Sequence, residues 1–127
     1  MTDQEAAALA KPVVKKVVDC IAERRYDSIP EIAEIRDMTF DDFKELVEGF
    51  LEINDLPYID SFDTECSFKP QYEYHQLNTY VYSDGTGFAA DYDLTTDSEL
   101  NDLTLQMEFL FAGSDKLTAK ILDAHIL

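Results

Sequence analysis

The stretch YSDGTGF, residues 82–88, decides the fold. An Asp-Gly pair between two alternating hydrophobic runs is typical of a tight hairpin turn whose central positions adopt positive φ. A two-residue Asp84-Gly85 loop puts apolar partners on one face of the hairpin and polar partners on the other. The apolar pairs are Val81–Phe88, Thr79–Ala90, Leu77–Tyr92 and His75–Leu94. The polar face pairs Tyr82–Gly87, Tyr80–Ala89, Asn78–Asp91 and Gln76–Asp93.

A second hairpin follows near the end of the chain. Residues 103–111 alternate between apolar and mostly polar side chains, and a three-residue loop at 113–115 then sets Phe111 opposite Leu117. Continued without interruption, this register pairs Leu105 with Asp123 and Leu103 with His125. It therefore predicts that Asp123 and His125 lie on the helix-covered face, unless a bulge intervenes.

The first half of the chain has helical patterns. Apolar residues recur at helical spacing over residues 3–26, where Pro12 either starts the helix or separates a leading turn from it. A short helix is predicted over 27–35, and a third begins at the Thr39 cap and ends near Asn54. We therefore expect one α+β domain over residues 1–127, with helices at about 3–56 packed on one face of a curved antiparallel sheet at about 72–127.

Charge limits the function classes. The 127 residues include 27 acidic and 10 basic side chains, a net charge of −17, and no Lys or Arg occurs from Pro70 to Asp115. Such a surface repels nucleic acid and anionic membranes and suits a basic protein partner. The acidic N-terminus and the absence of a long apolar run predict a cytoplasmic protein. The two cysteines are far apart, and no cofactor or metal site is predicted.

Three polar residues are the candidates for a ligand pocket: His75, Asp123 and His125. On an inner sheet face, a carboxylate could tune an imidazole for acid–base chemistry near neutral pH. The competing interpretation is that both histidines lie near strand ends, hydrogen-bonded to backbone or water. The acids of residues 91–102 lack the order of a calcium loop, so a solvated face is the preferred interpretation there.

A row of aromatic side chains is predicted on the opposite face. Four exposed tyrosines on one strand form a patch of the kind found at protein interfaces, and two aspartates accompany them. The partner-interface candidates are Tyr72, Tyr74, Tyr80, Tyr82, Asp91 and Asp93. A symmetric homodimer through this face is the simplest form of such an interface, and ordinary cross-strand packing is the alternative.

Helices followed by a long antiparallel sheet, together with the runs DGTGF (84–88), DYDLTT (91–96) and NDLTL (101–105), resemble the NTF2-like (cystatin-like α+β) superfamily and a small family of uncharacterised bacterial domains. Members of the superfamily include isomerases, dehydratases, non-catalytic binders and toxin-immunity proteins. The tyrosine and aspartate pair of the isomerase branch cannot be matched here residue by residue. The resemblance thus implies a fold and no particular reaction.

Two functions remain open on these grounds. The first is a non-catalytic interaction domain, of immunity or regulatory type, that binds through an acidic, tyrosine-bearing sheet face. The alternative is a small-molecule pocket, enzymatic or not, with His75, Asp123 and His125 inside it. The residues favour the first and leave enzymatic activity undecided.

Overall fold

The computed structural model describes residues 1–113 and 116–126 and consists of helices packed on one side of a five-stranded sheet. The helices are α1 (Asp3–Ala22), a 3₁₀ helix (Tyr26–Glu31) and α2 (Phe40–Ile53). The strands are β1 (Glu34–Ile35), β2 (Leu77–Val81), β3 (Gly87–Thr96), β4 (Glu99–Phe111) and β5 (Leu117–Ile126). Their order in the sheet is β1-β5-β4-β3-β2. The expected α+β class is confirmed.

Helix α1 is continuous through Pro12, so the predicted separate leading turn does not occur. Thr2 caps the helix through a capping box with Glu5, which satisfies orphan N–H groups of the first turn. Ala6 and Ala10 are fully buried. Burial of this first part against the core outweighs the hydrogen bond that an interior proline removes.

The segment after α1 differs from the predicted short helix. A 3₁₀ helix containing Pro30 ends at Glu31, and β1 then pairs in parallel with β5, with Ile35 opposite Ile121. A two-residue edge strand has too few residues to show a periodic pattern, which explains why it was not predicted. The third predicted helix is confirmed as α2, with Thr39 as its cap.

The first hairpin has the predicted register, from Val81–Phe88 to Leu77–Tyr92. Two details are corrected. The turn is wider than two residues: Gly85 has positive φ but Asp84 does not, and the Asp84 carboxylate accepts hydrogen bonds from Thr86. Strand β2 begins only at Leu77, so the expected His75–Leu94 pair is absent.

The second hairpin has a bulge that changes one face assignment. Phe111 lies opposite Leu117 and Met107 opposite Ile121, as predicted; Ser114 and Asp115 of the predicted loop lie outside the described residues. Beyond Met107 the register shifts by one residue, which pairs Gln106 with Asp123 and Thr104 with His125. A one-residue shift reverses the face of every later side chain. Asp123 and His125 therefore lie on the side of the sheet opposite the helices.

The core fills the space between the helices and the inner sheet face. Phe88 and Phe109 stack there with ring centroids 4.9 Å apart. Both rings are fully buried, together with Leu105, and the buried face of α1 belongs to the same cluster. The other face of the sheet carries the half-exposed and polar positions of the strands.

Candidate partner-binding face

We define the open face as the outward-facing positions of the sheet from β2 to β5. Residues one position apart along a strand point to opposite sides, so the register assigns these positions directly. They are Asn78, Tyr80, Gly87, Ala89, Asp91, Asp93, Thr104, Gln106, Glu108, Leu110, Thr118, Lys120, Asp123 and His125, with Tyr82 directly after β2. The buried side chains of the helices all join the core on the other side.

Two tyrosines are held to the open face by carboxylates. The Tyr82 hydroxyl donates to Glu108 Oε2 at 2.7 Å, and the Tyr74 hydroxyl donates to Asp93 Oδ2 at 2.6 Å. Burial, and then the carboxylate acceptor, raise the pKa of Tyr82 to about 12 and also raise the pKa of Tyr74. Both phenols therefore stay protonated at neutral pH, and their rings are fixed in position.

The other two predicted tyrosines are free to contact a partner. Tyr80 is 53% exposed and Tyr72 is 66% exposed, and no hydrogen bond of either hydroxyl is found within the described residues. Tyr80 lies on β2 opposite Ala89, so a small side chain leaves its ring accessible. Tyr72 precedes β2, in the connection that follows α2. Large aromatic rings of this kind are frequent anchors of protein interfaces.

Asp91 is a half-buried carboxylate of the open face. Burial raises the pKa of this carboxyl, Asp93 adds repulsion, and Gln106 and His125 offset part of the effect. Asp93 is better supported, since Tyr74 and Thr104 both donate to its carboxylate. The Asp91 carboxylate is therefore available for a cation from outside the chain.

This raised pKa predicts how stability depends on pH. An acid with a raised folded pKa contributes stability below its unfolded pKa, and that contribution is lost as pH rises through the folded pKa. At pH 7 the ionised Asp91 is thus a cost, and we expect Asp91→Asn to raise the free energy of unfolding by about 0.5 kcal/mol, a figure that allows for solvent screening. Urea unfolding at pH 7 and pH 3 measures the effect.

A matched control separates this local cost from the overall charge of the protein. Glu45 is exposed on α2, away from the open face, and Glu45→Gln changes the net charge by the same amount. We expect it to leave stability nearly unchanged at both pH values. An equal gain in the two variants, or a gain from Asp91→Asn that persists at pH 3, would contradict the local explanation.

The three predicted pocket residues do not converge. Exposed His75 donates a hydrogen bond from Nε2 to Glu73 Oε1 at 2.9 Å, on the segment before β2. His125 lies on β5, where its Nδ1 is buried 3.4 Å from Asp123 Oδ2 without hydrogen-bond geometry. Two strands separate β2 from β5, a distance of about 14 Å at the usual strand spacing. A shared role for the two histidines in one pocket has no geometric support.

The connection between α2 and β2, residues 54–76, is a second part of the candidate site, and it includes residues 72–76, which were predicted to belong to the sheet. Asp60 holds it to the β3–β4 turn: its carboxylate accepts from the backbone N–H groups of Asp97 and Ser98 and from the Thr95 hydroxyl. Phe62 stacks on Tyr92 with centroids 5.0 Å apart. Long connections without regular structure are usually functional when they are ordered. These contacts involve isolated residues in a segment without a periodic pattern, so the sequence alone does not indicate them.

No curated protein and no solved structure matches the chain. Within the described part of the chain, no helix has the length and apolar character needed to cross a membrane. One family model matches residues 18–127, which include the end of α1, the 3₁₀ helix, α2 and all five strands. By this match the chain belongs to the family described as a domain of unknown function, DUF7668.

Proposed function

We propose that this protein is a non-catalytic binding domain whose open face recognises a basic protein partner. The observation that carries the proposal is the exposed Tyr80 ring beside the incompletely compensated Asp91 carboxylate, on a sheet face that the core does not use. An aromatic anchor next to a negative charge suits a partner that presents lysine or arginine around an apolar contact.

Charge complementarity favours a basic partner over a second copy of the chain. The open face has four carboxylates, those of Asp91, Asp93, Glu108 and Asp123, and one lysine, Lys120. A homodimer through this face would bring like charges together, which costs free energy at low salt. A basic partner would instead be steered toward it at long range. The homodimer remains the second arrangement to test.

The proposal extends to cellular context and ancestry. A cytoplasmic location and an immunity-type or regulatory role fit an acidic binding domain with a protein partner. N-terminal helices on an antiparallel meander also support placing the family within the NTF2-like superfamily. The small-molecule alternative on the inner face would need space that Phe88 and Phe109 occupy, which favours the open face as the binding site.

The test is binding of a ten-residue lysine-rich peptide without arginine, followed by NMR on the isotope-labelled protein. We expect amide shifts concentrated on β2, β3 and β4, and an affinity that falls several-fold between 50 and 300 mM salt. Tyr80→Ser and Asp91→Asn should each weaken binding about 5- to 10-fold, because each removes a central contact. Glu45→Gln, with the same charge change on α2, should leave the affinity within twofold.

Three results would count against the proposal. One is a footprint spread over the acidic surface in general, and another is equal weakening by Asp91→Asn and Glu45→Gln. The third comes from sedimentation of the free protein: self-association that strengthens as salt rises, and that Tyr80→Ser abolishes, would identify a homodimer through this face instead.

A further inference from the structure

We infer that the depression beside the open face is a seat for an arginine side chain of the basic partner. The inference rests on the proposed function and names the side chain that the site recognises. The depression has a volume of about 420 Å³ and is formed entirely by the connection before β2, residues 64–76. It adjoins the open face at Tyr74, which is bonded to Asp93.

The depression has a mixed lining, of which one part is aromatic and apolar. Phe68, Pro70, Tyr72 and Tyr74 line it, and Cys66 is a buried part of its lining. The Phe68 ring meets Tyr74 edge-on at 4.9 Å between centroids and meets Tyr72 at 6.5 Å. The faces of such rings attract cations, because the ring quadrupole is negative there.

The site is preorganised by hydrogen bonds behind the rings. The Tyr74 hydroxyl donates to Asp93, and the Gln76 amide donates to the Tyr92 hydroxyl and to the Asp93 carbonyl oxygen. The backbone N–H of Ser67 donates to the carbonyl of Ser98 at 2.7 Å. The Tyr74 ring, held in this way, loses little freedom when a ligand contacts it, and Phe68 packs edge-on against it.

One carboxylate at the rim, that of Glu65, is accessible to a cation. Glu65 lines the depression and is 85% exposed, and among the described residues it pairs only with Lys69, at 3.5 Å in an i,i+4 contact. Exposed pairs of this type are weak, so an incoming cation can replace Lys69 as the partner of Glu65. Lys69 is thus a competitor within the site, and its removal should strengthen binding of a cation.

Arginine fits this combination better than lysine. Its flat guanidinium stacks on an aromatic ring while its N–H groups bind a carboxylate in two parallel hydrogen bonds. It is also less strongly hydrated than an ammonium group, so it loses less on entering an aromatic depression. Tyr72 provides the accessible ring and Glu65 the carboxylate.

The test is a double-mutant cycle with peptide and protein variants. The probes are the lysine-rich decapeptide with arginine, lysine or the neutral isostere citrulline at its central position, each measured on the protein and on Tyr72→Ala. We expect arginine to bind about 3- to 5-fold more tightly than lysine or citrulline, and Tyr72→Ala to abolish that preference. Glu65→Gln should reduce it, and Lys69→Gln should increase the arginine affinity about twofold.

The side chains of Glu65, Lys69 and Tyr72 are exposed, so we expect their replacement to leave the fold intact. Circular dichroism of each variant verifies this. Equal binding of the arginine and citrulline peptides, equal binding of the arginine and lysine peptides, or a preference that survives Tyr72→Ala would overturn the inference. The proposed function is judged separately, by the arginine-free peptide and its dependence on Tyr80 and Asp91. If binding of the arginine-free peptide depends on Tyr80 and Asp91 but the arginine preference does not depend on Tyr72, the arginine seat is rejected and the proposed function stands.

Discussion

We expect Gly87→Ala to lower the free energy of unfolding by about 3 kcal/mol, at the upper end of the usual cost of overpacking. A Cβ atom at this position would lie 2.0 Å from the carbonyl oxygen of Phe109 and 3.0 Å from Cα of Leu110. Both are backbone atoms of β4, the strand that pairs with Gly87. No rotamer change relieves such a contact, so the β3–β4 pairing itself must open. Urea unfolding of the variant measures the loss.

The control is the glycine of α2. A Cβ atom on Gly49 would meet nothing within 4 Å, so this glycine does not serve a close helix contact. Gly49→Ala should therefore raise the free energy of unfolding by about 0.5–1 kcal/mol, since glycine is a poor helix former. A loss below 1 kcal/mol for Gly87→Ala would mean that β3 and β4 can separate locally, which would contradict the tight pairing described above.

The fold was predictable where a local pattern repeats. Alternation on both sides of the DGTGF turn determines the β2–β3 register, because a one-residue slip would bury its polar side chains. The bulge at Leu122 was only partly predictable. An uninterrupted register puts Asp123 and His125 on the covered face while Ala124 and Ile126 point away from it, which signals a shift, but no pattern identifies the inserted residue. Its consequence is large, because it moves His125 from the expected inner face to the open face.

The candidate site was predictable in the same partial way. Tyr80 and Tyr82 follow from strand periodicity, and Tyr80 is exposed as an interface anchor should be. Tyr72 and Tyr74 were predicted on the strand with Tyr80, but they precede β2 and line the depression with Phe68, in a connection without periodic pattern. Their arrangement depends on long-range contacts such as the hydrogen bond from Ser67 to Ser98, which no spacing in the sequence indicates.

The connection between α2 and β2 is held to the β3–β4 turn by one carboxylate, that of Asp60. We expect Asp60→Ala to lower the free energy of unfolding by about 2–3 kcal/mol, because hydrogen bonds to a charged acceptor are stronger than neutral ones. Asp97 and Ser98 form the two-residue β3–β4 turn, with φ of 53° and 69° and no glycine to ease that conformation. Both of their N–H groups lose an acceptor in the variant. Urea unfolding, with hydrogen exchange at these two amides, measures the effect.

Two variants show whether the acceptor is the cause. Asp60 Oδ2 accepts from Ser98 and Thr95 while Oδ1 accepts from Asp97, so Asp60→Asn keeps one acceptor oxygen and should lose about half as much as alanine. Asp63 lies on the same connection but is exposed, and within the described part of the chain it pairs only with Lys15, so Asp63→Ala should cost about 0.5 kcal/mol or less. Equal losses for Asp60→Asn and Asp60→Ala would point to charge alone. We expect a large loss for Asp60→Ala, about half of it for Asp60→Asn and almost none for Asp63→Ala. This pattern would show that the β3–β4 turn is stabilised by the segment that carries the arginine seat.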